Sequence, residues 1–324
     1  MQGDSFKNYL HLHFIVFVWG FTAVLGKLIT LGAMPLVWFR MCIGVALMIV
    51  YAIITKAPFK VSLQTFVRFV VAGLIIAVHW FAFFEAIKVS NISLTLACLS
   101  TGAFFASLLE TVFYGKKVVW YELVLSFVVI FALCIIIYGD FFVSLVTQIS
   151  SGPFSLSAVG EVIHKTPTGT DHLLLGIAIA LVSAALSALF AIINGKFAKQ
   201  HNPVTISIYE LLGGIFFFSL YLLFTGQFTQ EFFTLSDSDW LWLFLLGSFC
   251  TAYAQIAAVQ VMKYISAYTM MLTINLEPVY GIILALIVFN TDEQMGYTFY
   301  IGAAIILITV IINGVLKNRA DAAK

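Results

Sequence analysis

Asn275-Leu276-Glu277-Pro278-Val279 sits in the middle of an apolar run that extends from about Ala267 to Phe289. In hydrocarbon the proline leaves a helix carbonyl without its N–H partner. A carboxylate at mid-depth costs a few kcal/mol or more unless it is paired, protonated or turned to water. Two such penalties in adjacent residues point to a helix that borders a cavity. Pro278 makes the break, and Asn275 and Glu277 are candidate ligands on the cavity wall.

Polar groups in other apolar runs are the candidate partners. His79, in Val78-His79-Trp80-Phe81, reads either as a hydrogen-bond donor between helices or as a substrate-contacting, proton-titrating side chain. Tyr253, Gln255 and Gln260 share one later run, where amides serve either as interhelical hydrogen bonds or as fixed points for a polar ligand. Trp19 and Trp80 are the deep aromatics of the candidate lining. Lys27 and Arg40 lie towards the ends of their runs; they either snorkel to the interface or place positive charge on a vestibule, with Lys27 also a candidate on the first-helix side of the lining. Glu110 and Glu210 read as interfacial ion pairs, with Lys116 or Lys117 and with Lys196 or Lys199 respectively. Asn194 and Gly195 read as the cap of their helix.

That set of residues suits binding of a polar solute better than covalent catalysis. There is no Gly-x-Ser-x-Gly, no His-Glu-x-x-His, no P-loop and no intramembrane aspartate pair, and cofactor signatures are absent. Cys42, Cys98, Cys134 and Cys250 all fall in apolar runs without metal-ligand spacing and read as small core residues. Neither a metal nor a cofactor is expected.

The elements that must position these residues are membrane helices. Of 324 residues 62% are hydrophobic and 10% charged, against about 25% charged in a soluble domain. A net charge of +1 offers no basic surface to nucleic acid. The expected class is an all-α integral membrane protein whose partners are the lipid bilayer and a small-molecule substrate. A span needs about 20 apolar residues, which predicts ten transmembrane helices near 12–31, 35–54, 67–87, 91–113, 119–138, 173–195, 204–225, 240–262, 267–289 and 296–316. A Ser-, Gly- and Thr-rich polar loop over 139–172 divides them into five-helix units at 1–138 and 173–324. With the N-terminus inside, the inner segments carry twelve Lys and Arg and the outer ones only Lys88 and Lys165, which predicts both termini in the cytoplasm and the 139–172 loop outside. Five helices per unit would make the two halves inverted repeats with a binding site at mid-depth. Ala86-Ile87-Lys88-Val89-Ser90 resembles Val261-Met262-Lys263-Tyr264-Ile265, and the pattern from Leu99 to Gly139 resembles that from Leu276 to Gly314.

Three motifs together resemble the EamA-type branch of the drug/metabolite transporter superfamily. Trp19-Gly20-Phe21-Thr22-Ala23-Val24-Leu25-Gly26-Lys27 resembles its first-helix opening. Pro35-Leu36-Val37-Trp38-Phe39-Arg40 resembles its second-helix start, and Leu276-Glu277-Pro278-Val279 followed by Asp292-Glu293 resembles its ninth helix and acidic turn. The chain departs from the pattern at Leu99-Ser100-Thr101-Gly102, where the family often has proline, and at Gly115-Lys116-Lys117, where it often has Gly-Glu. The resemblance covers about residues 12–316. It implies a non-enzymatic secondary transporter in a bacterial inner membrane that exports amino acids or other small metabolites by alternating access. A coupling proton or other ion is left open. An intramembrane enzyme would need nucleophile, base or metal ligands gathered at one depth. A multi-pass receptor or assembly subunit would need a folded loop or tail.

Overall fold

The computed structural model describes residues 2–115, scattered positions between 120 and 147, and residues 170–265, 267–274, 276–290 and 296–322. The described residues form helices and the turns between them, with no strand among them. In chain order the helices are α1 (Gln2–Leu28), α2 (Ala33–Ile54), α3 (Leu63–Val89), α4 (Ile92–Leu99), α5 (Gly102–Tyr114), α6 (Thr170–Phe197), α7 (Pro203–Phe224), α8 (Asp237–Gly247), α9 (Ala254–Val261), α10 (Ala267–Ile274), α11 (Glu277–Phe289) and α12 (Tyr297–Ala322). A π-helical turn, Ser248–Tyr253, joins α8 to α9.

Polar residues set where the helices begin. The side chains of Ser62, Asn91, Asn202 and Ser236 each accept a backbone N–H from the first turn of the helix that follows, which satisfies a donor that has no intrahelical partner. Pro203 sits in the first turn of α7, where its missing N–H is not needed.

Among the described residues, seven helical segments are long and apolar enough to cross a membrane, and α11 and the start of α12 are shorter apolar segments. Within the expected fifth helix at 119–138 every described position is helical, and so are 139, 143, 147 and 170–172 of the expected 139–172 loop; the remaining positions of both lie outside the described residues. The expected ninth span is two helices, α10 and α11. The expected fourth span is also two, α4 and α5, although no proline stands there. Its break falls at Ser100 and Thr101. Thr101 Oγ1 donates to the Cys98 carbonyl at 2.7 Å and Ser100 Oγ to the Leu96 carbonyl at 3.4 Å, so hydroxyls compete for the helix backbone. The two broken pairs have equal lengths: α4 and α10 are 8 residues each, α5 and α11 are 13 each. Cys98 and Cys250 are buried as expected; Cys42 is half-buried and Cys134 is exposed.

Helices from the two halves of the chain interleave. Helix α3 packs against α6 and α7, α1 against α11, and α2 against α7 and the π turn. The crossing of α3 and α7 is the tightest, because it is glycine on glycine. A Cβ on Gly213 would lie 2.6 Å from the Val70 carbonyl oxygen, and one on Gly73 would run into the Glu210 carbonyl. This interleaving brings residues far apart in sequence to a single cavity.

Candidate functional site

The cavity lies between the two halves, beside the break that separates α10 from α11. Its volume is about 80 Å³, and its walls include Trp19, Thr22, Arg40, His79, Trp80, Gln255 and Glu277. Ligand pockets commonly measure about 300–1,000 Å³, so this one is contracted and holds room for a few waters.

Arg40 dominates its charge. The guanidinium lies 3.9 Å from the centroid of the Trp80 ring, a stacked cation–π arrangement. Nε donates to Thr251 Oγ1 at 2.7 Å and Nη2 to the Cys250 carbonyl at 3.3 Å. Both acceptors belong to the π turn. Thr251 Oγ1 also donates to the Leu246 carbonyl at 2.8 Å, five residues back, so its hydroxyl is built into the widened turn. Nη1 is buried and has no hydrogen-bond partner among the described residues. A guanidinium N–H left over in a cavity wall is a ready donor for a carboxylate or carbonyl. Sequence pattern places Arg40 at the vestibule or the interface; the structure corrects this, since Arg40 is 1% exposed and part of the cavity wall. Its guanidinium is held by the π turn and by the rings of Trp80 and Phe84, and the contact of that turn with α2 has no local sequence signal.

Glu277 begins α11 and is buried. Pro278 occupies the first turn of that helix, the one place where it displaces no hydrogen bond. No described residue donates a hydrogen bond to the Glu277 carboxylate. His79 is also buried: Nδ1 lies 2.8 Å from the Ser183 carbonyl and 2.9 Å from Ser183 Oγ, which in turn donates to the His79 carbonyl at 3.1 Å. Nδ1 donating to that carbonyl leaves Nε2 as the acceptor of the neutral ring. His79 thus ties α3 to α6 and lines the cavity as well. Gln255 does the same for α9, since it lines the cavity and its Nε2 lies 3.4 Å from Glu210 Oε2.

Two expected lining residues are elsewhere. Lys27 places its Nζ 4.6 Å from the Phe289 ring centroid; it is eight residues beyond Trp19, about 12 Å along the helix. Tyr253 is 38% exposed and its hydroxyl meets His11 Nε2 at 2.8 Å. Two residues turn a helix side chain by about 200°, so Tyr253 and Gln255 face opposite ways. Tyr253 and Gln260 instead line a second, more open cavity of about 790 Å³. Asn275 lies outside the described residues. Thr22, Thr251 and Ser183 were not singled out by sequence, because a hydroxyl in an apolar helix carries no pattern of its own.

The two ion-pair expectations part company. Lys116 and Lys117, the expected partners of Glu110, lie outside the described residues. Glu210 is not interfacial. It is fully buried, and Asn194 Nδ2 donates to its Oε1 at 2.9 Å. Asn194 therefore serves Glu210 with its side chain, and α6 runs past it to Phe197. Glu210 lies seven residues inside α7, about 10 Å from the helix start, a depth that its position in the apolar run already signals.

The described residues thus form a helical bundle with a small cavity between two interleaved halves, mostly apolar in its lining but carrying Arg40, His79, Gln255 and Glu277. The EamA-like transporter family matches the chain twice, over residues 8–138 and 174–315. The chain belongs to that family, within the drug/metabolite transporter superfamily. No curated protein sequence matches it. One solved crystal structure, described only as that of a protein, superposes with a TM-score of 0.65 over 96% of this chain and 98% of its own, at 13% identity. At that identity the likeness speaks to the fold.

Proposed function

We propose that the protein is a secondary carrier for amino acids or similarly small zwitterionic metabolites. It works by alternating access between two inverted five-helix units, ten helices in all, and exports its substrate across a bacterial inner membrane with both termini in the cytoplasm. The observation that carries this reading is that one cavity between the halves is lined by both Arg40, whose Nη1 has no hydrogen-bond partner among the described residues, and the carboxylate of Glu277. Arg40 takes the substrate carboxylate and Glu277 its ammonium. Gln255 and the His79 Nε2 fix the remaining polar atoms, while Trp19 and Trp80 form the apolar sides. Asn275, next to the helix break, belongs to the same lining. The helix breaks at Ser100–Thr101 and before Pro278 lie next to cavity-lining Leu99 and Glu277, the kind of place where carriers use discontinuous helices.

Contacts between the halves are the candidate gates of this cycle. At one end, Asp239 accepts from the Thr30 backbone N–H and hydroxyl, both at 2.7 Å. At the other, the Tyr209 hydroxyl donates to the Phe59 carbonyl at 2.7 Å. Alternating access breaks one set at a time.

The test is counterflow in proteoliposomes preloaded in turn with pools of amino acids, nucleosides and organic acids. Stimulated uptake confined to the amino-acid pool is the expected result. Signal only with nucleosides or with organic acids lacking an amine would sink the zwitterion assignment. Silence from every pool with folded, inserted protein would sink the carrier reading for these substrates.

A further inference from the structure

Glu210 is not part of the cavity wall, yet it is the most enclosed acidic side chain among the described residues that the cavity touches through a relay. Its two oxygens meet two neutral amides, Asn194 Nδ2 from α6 at 2.9 Å and Gln255 Nε2 from α9 at 3.4 Å. The charged side chains and histidines on the surrounding helices are Arg40 on α2, Arg68, His79, Glu85 and Lys88 on α3, Asp171, His172 and Lys196 on α6 and, across the cavity, Glu277 on α11. Among the described residues none of the cations lies within ion-pair distance of Glu210. Arg40 is held by Trp80 and Thr251, and His79 by Ser183.

A carboxylate with no cation in a membrane interior stays ionised only where donors or water surround it, whereas a neutral acid tolerates a dry site. Its protonation is therefore tied to whether the site is open. Asn194 is built for both conditions. Its Oδ1 is buried with no hydrogen-bond partner among the described residues. Turned end for end, the amide would present that oxygen to Glu210, a contact that requires a proton on the acid. The groups facing the carboxylate present N–H, which suits an anion or, after the turn, a carboxylic acid. A metal cation would need a shell of oxygens instead.

We propose that Glu210 is the site where the carrier binds and releases a coupling proton, and that Gln255 links that site to the substrate cavity. A substrate oxygen that takes the Gln255 amide withdraws a donor from Glu210, so substrate binding and the proton on Glu210 affect each other, reciprocally. The proton enters from one aqueous side and leaves to the other as the halves rock; no bond other than O–H is made or broken. The inference rests on the carrier reading above.

The experiment uses full-length protein in liposomes and the amino-acid pool, with two readouts: counterflow at equal pH, and concentrative uptake driven by an imposed pH difference. Wild type should show both. Glu210→Gln should keep counterflow and lose pH-driven accumulation to the level of empty liposomes, and Glu210→Asp, still titratable, should restore accumulation with a displaced pH profile. Equal pH-driven accumulation in wild type and Glu210→Gln would overturn the proposal, as would wild type that exchanges substrate but ignores the pH difference. Loss in both variants alike would mark Glu210 as a packing residue and overturn it too. If Glu210→Gln does not fold, Gln255→Leu replaces it: an unchanged ratio of proton to substrate movement there refutes the link. Absence of counterflow in wild type is a separate outcome, which brings down the carrier reading first.

Discussion

Arg40→Met tests the cavity chemistry most directly. Methionine keeps an unbranched stem of similar length in the helix and removes the guanidinium. The variant loses the hydrogen bonds to Thr251 and Cys250 and the stack on Trp80, but these are interactions within the protein and are lost whether or not substrate is bound. What substrate alone loses is its bond to Nη1, which is buried and has no hydrogen-bond partner among the described residues. A hydrogen bond to a charged group is worth about 1.5–3 kcal/mol, and each 1.4 kcal/mol is about tenfold in affinity. An amino acid should therefore bind Arg40→Met roughly tenfold to a hundredfold more weakly. The discriminating measurement is a cycle with two ligands, the amino acid and the same compound with its carboxylate replaced by carboxamide. Binding is measured by titration calorimetry on protein that keeps its size-exclusion profile. Wild type should prefer the acid by that factor, and the preference should vanish in Arg40→Met. A preference of equal size in both proteins would mean that Arg40 does not read the carboxylate, and the zwitterion assignment would fall with it.

Three other perturbations follow from the same geometry. Glu277→Gln should erase the discrimination between an amino acid and the matching acid without its amine, and should abolish counterflow; a variant that inserts and exchanges normally removes Glu277 from the mechanism. Gly213→Ala should lower stability by about 1–3 kcal/mol, measured as thermal unfolding in detergent, because its new methyl meets the Val70 backbone, which cannot rotate away; an unchanged midpoint would show that α3 and α7 cross more loosely than described. Asp239→Ala removes the acceptor of two 2.7 Å hydrogen bonds from Thr30 and of a third from Ser236 at 2.8 Å. It should shift the closed state by about tenfold or more, read as faster modification of a Thr22→Cys reporter by a water-soluble thiol reagent in an otherwise cysteine-free background. No change in rate would show that this latch does not hold the cavity shut.

What could be read from the sequence divides along a physical line. Proline states its consequence wherever it stands in an apolar run, and a deep carboxylate beside it is equally explicit, so the α10–α11 break and the buried Glu277 were legible. The break at Ser100–Thr101 was not, because a serine or threonine in a helix either bends it or leaves it straight according to which carbonyl the hydroxyl reaches. Lys27 and Tyr253 were misplaced by helix phase and depth: type and neighbourhood fitted a lining residue, but rotation about the axis carried Tyr253 to the second cavity. Arg40 and Glu210 were misplaced by the opposite error, a judgement of nearness to the interface that ignored what packs over them. The partners that bury them, the π turn over Arg40 and the amides around Glu210, are more than a hundred residues away or arrive on another helix, and no local pattern announces them.

Arg40 and Glu210 also occupy corresponding places in the two family units. Arg40 is the eighth residue of α2 and Glu210 the eighth of α7, the second helices of the two family units matched at 8–138 and 174–315. Arg40 meets Trp80 and Glu210 meets Gln255. Counted by the spacing of 175 residues that separates α4 from α10 and α5 from α11, which start at 92 and 267 and at 102 and 277, residue 80 corresponds to residue 255. The same contact between second and third helices thus occurs in each unit, once as a cation on an aromatic face and once as an acid on an amide. Both third-helix partners line the cavity. A duplicated frame fixes where two buried side chains go but leaves their chemistry free, and in this chain the two copies carry opposite charge. In the proposed cycle the cation serves the substrate and the acid serves the proton. Exchanging the pairs, with Glu at 40 and Arg at 210, should therefore destroy transport even where the helices still assemble, because the work proposed for the two positions differs.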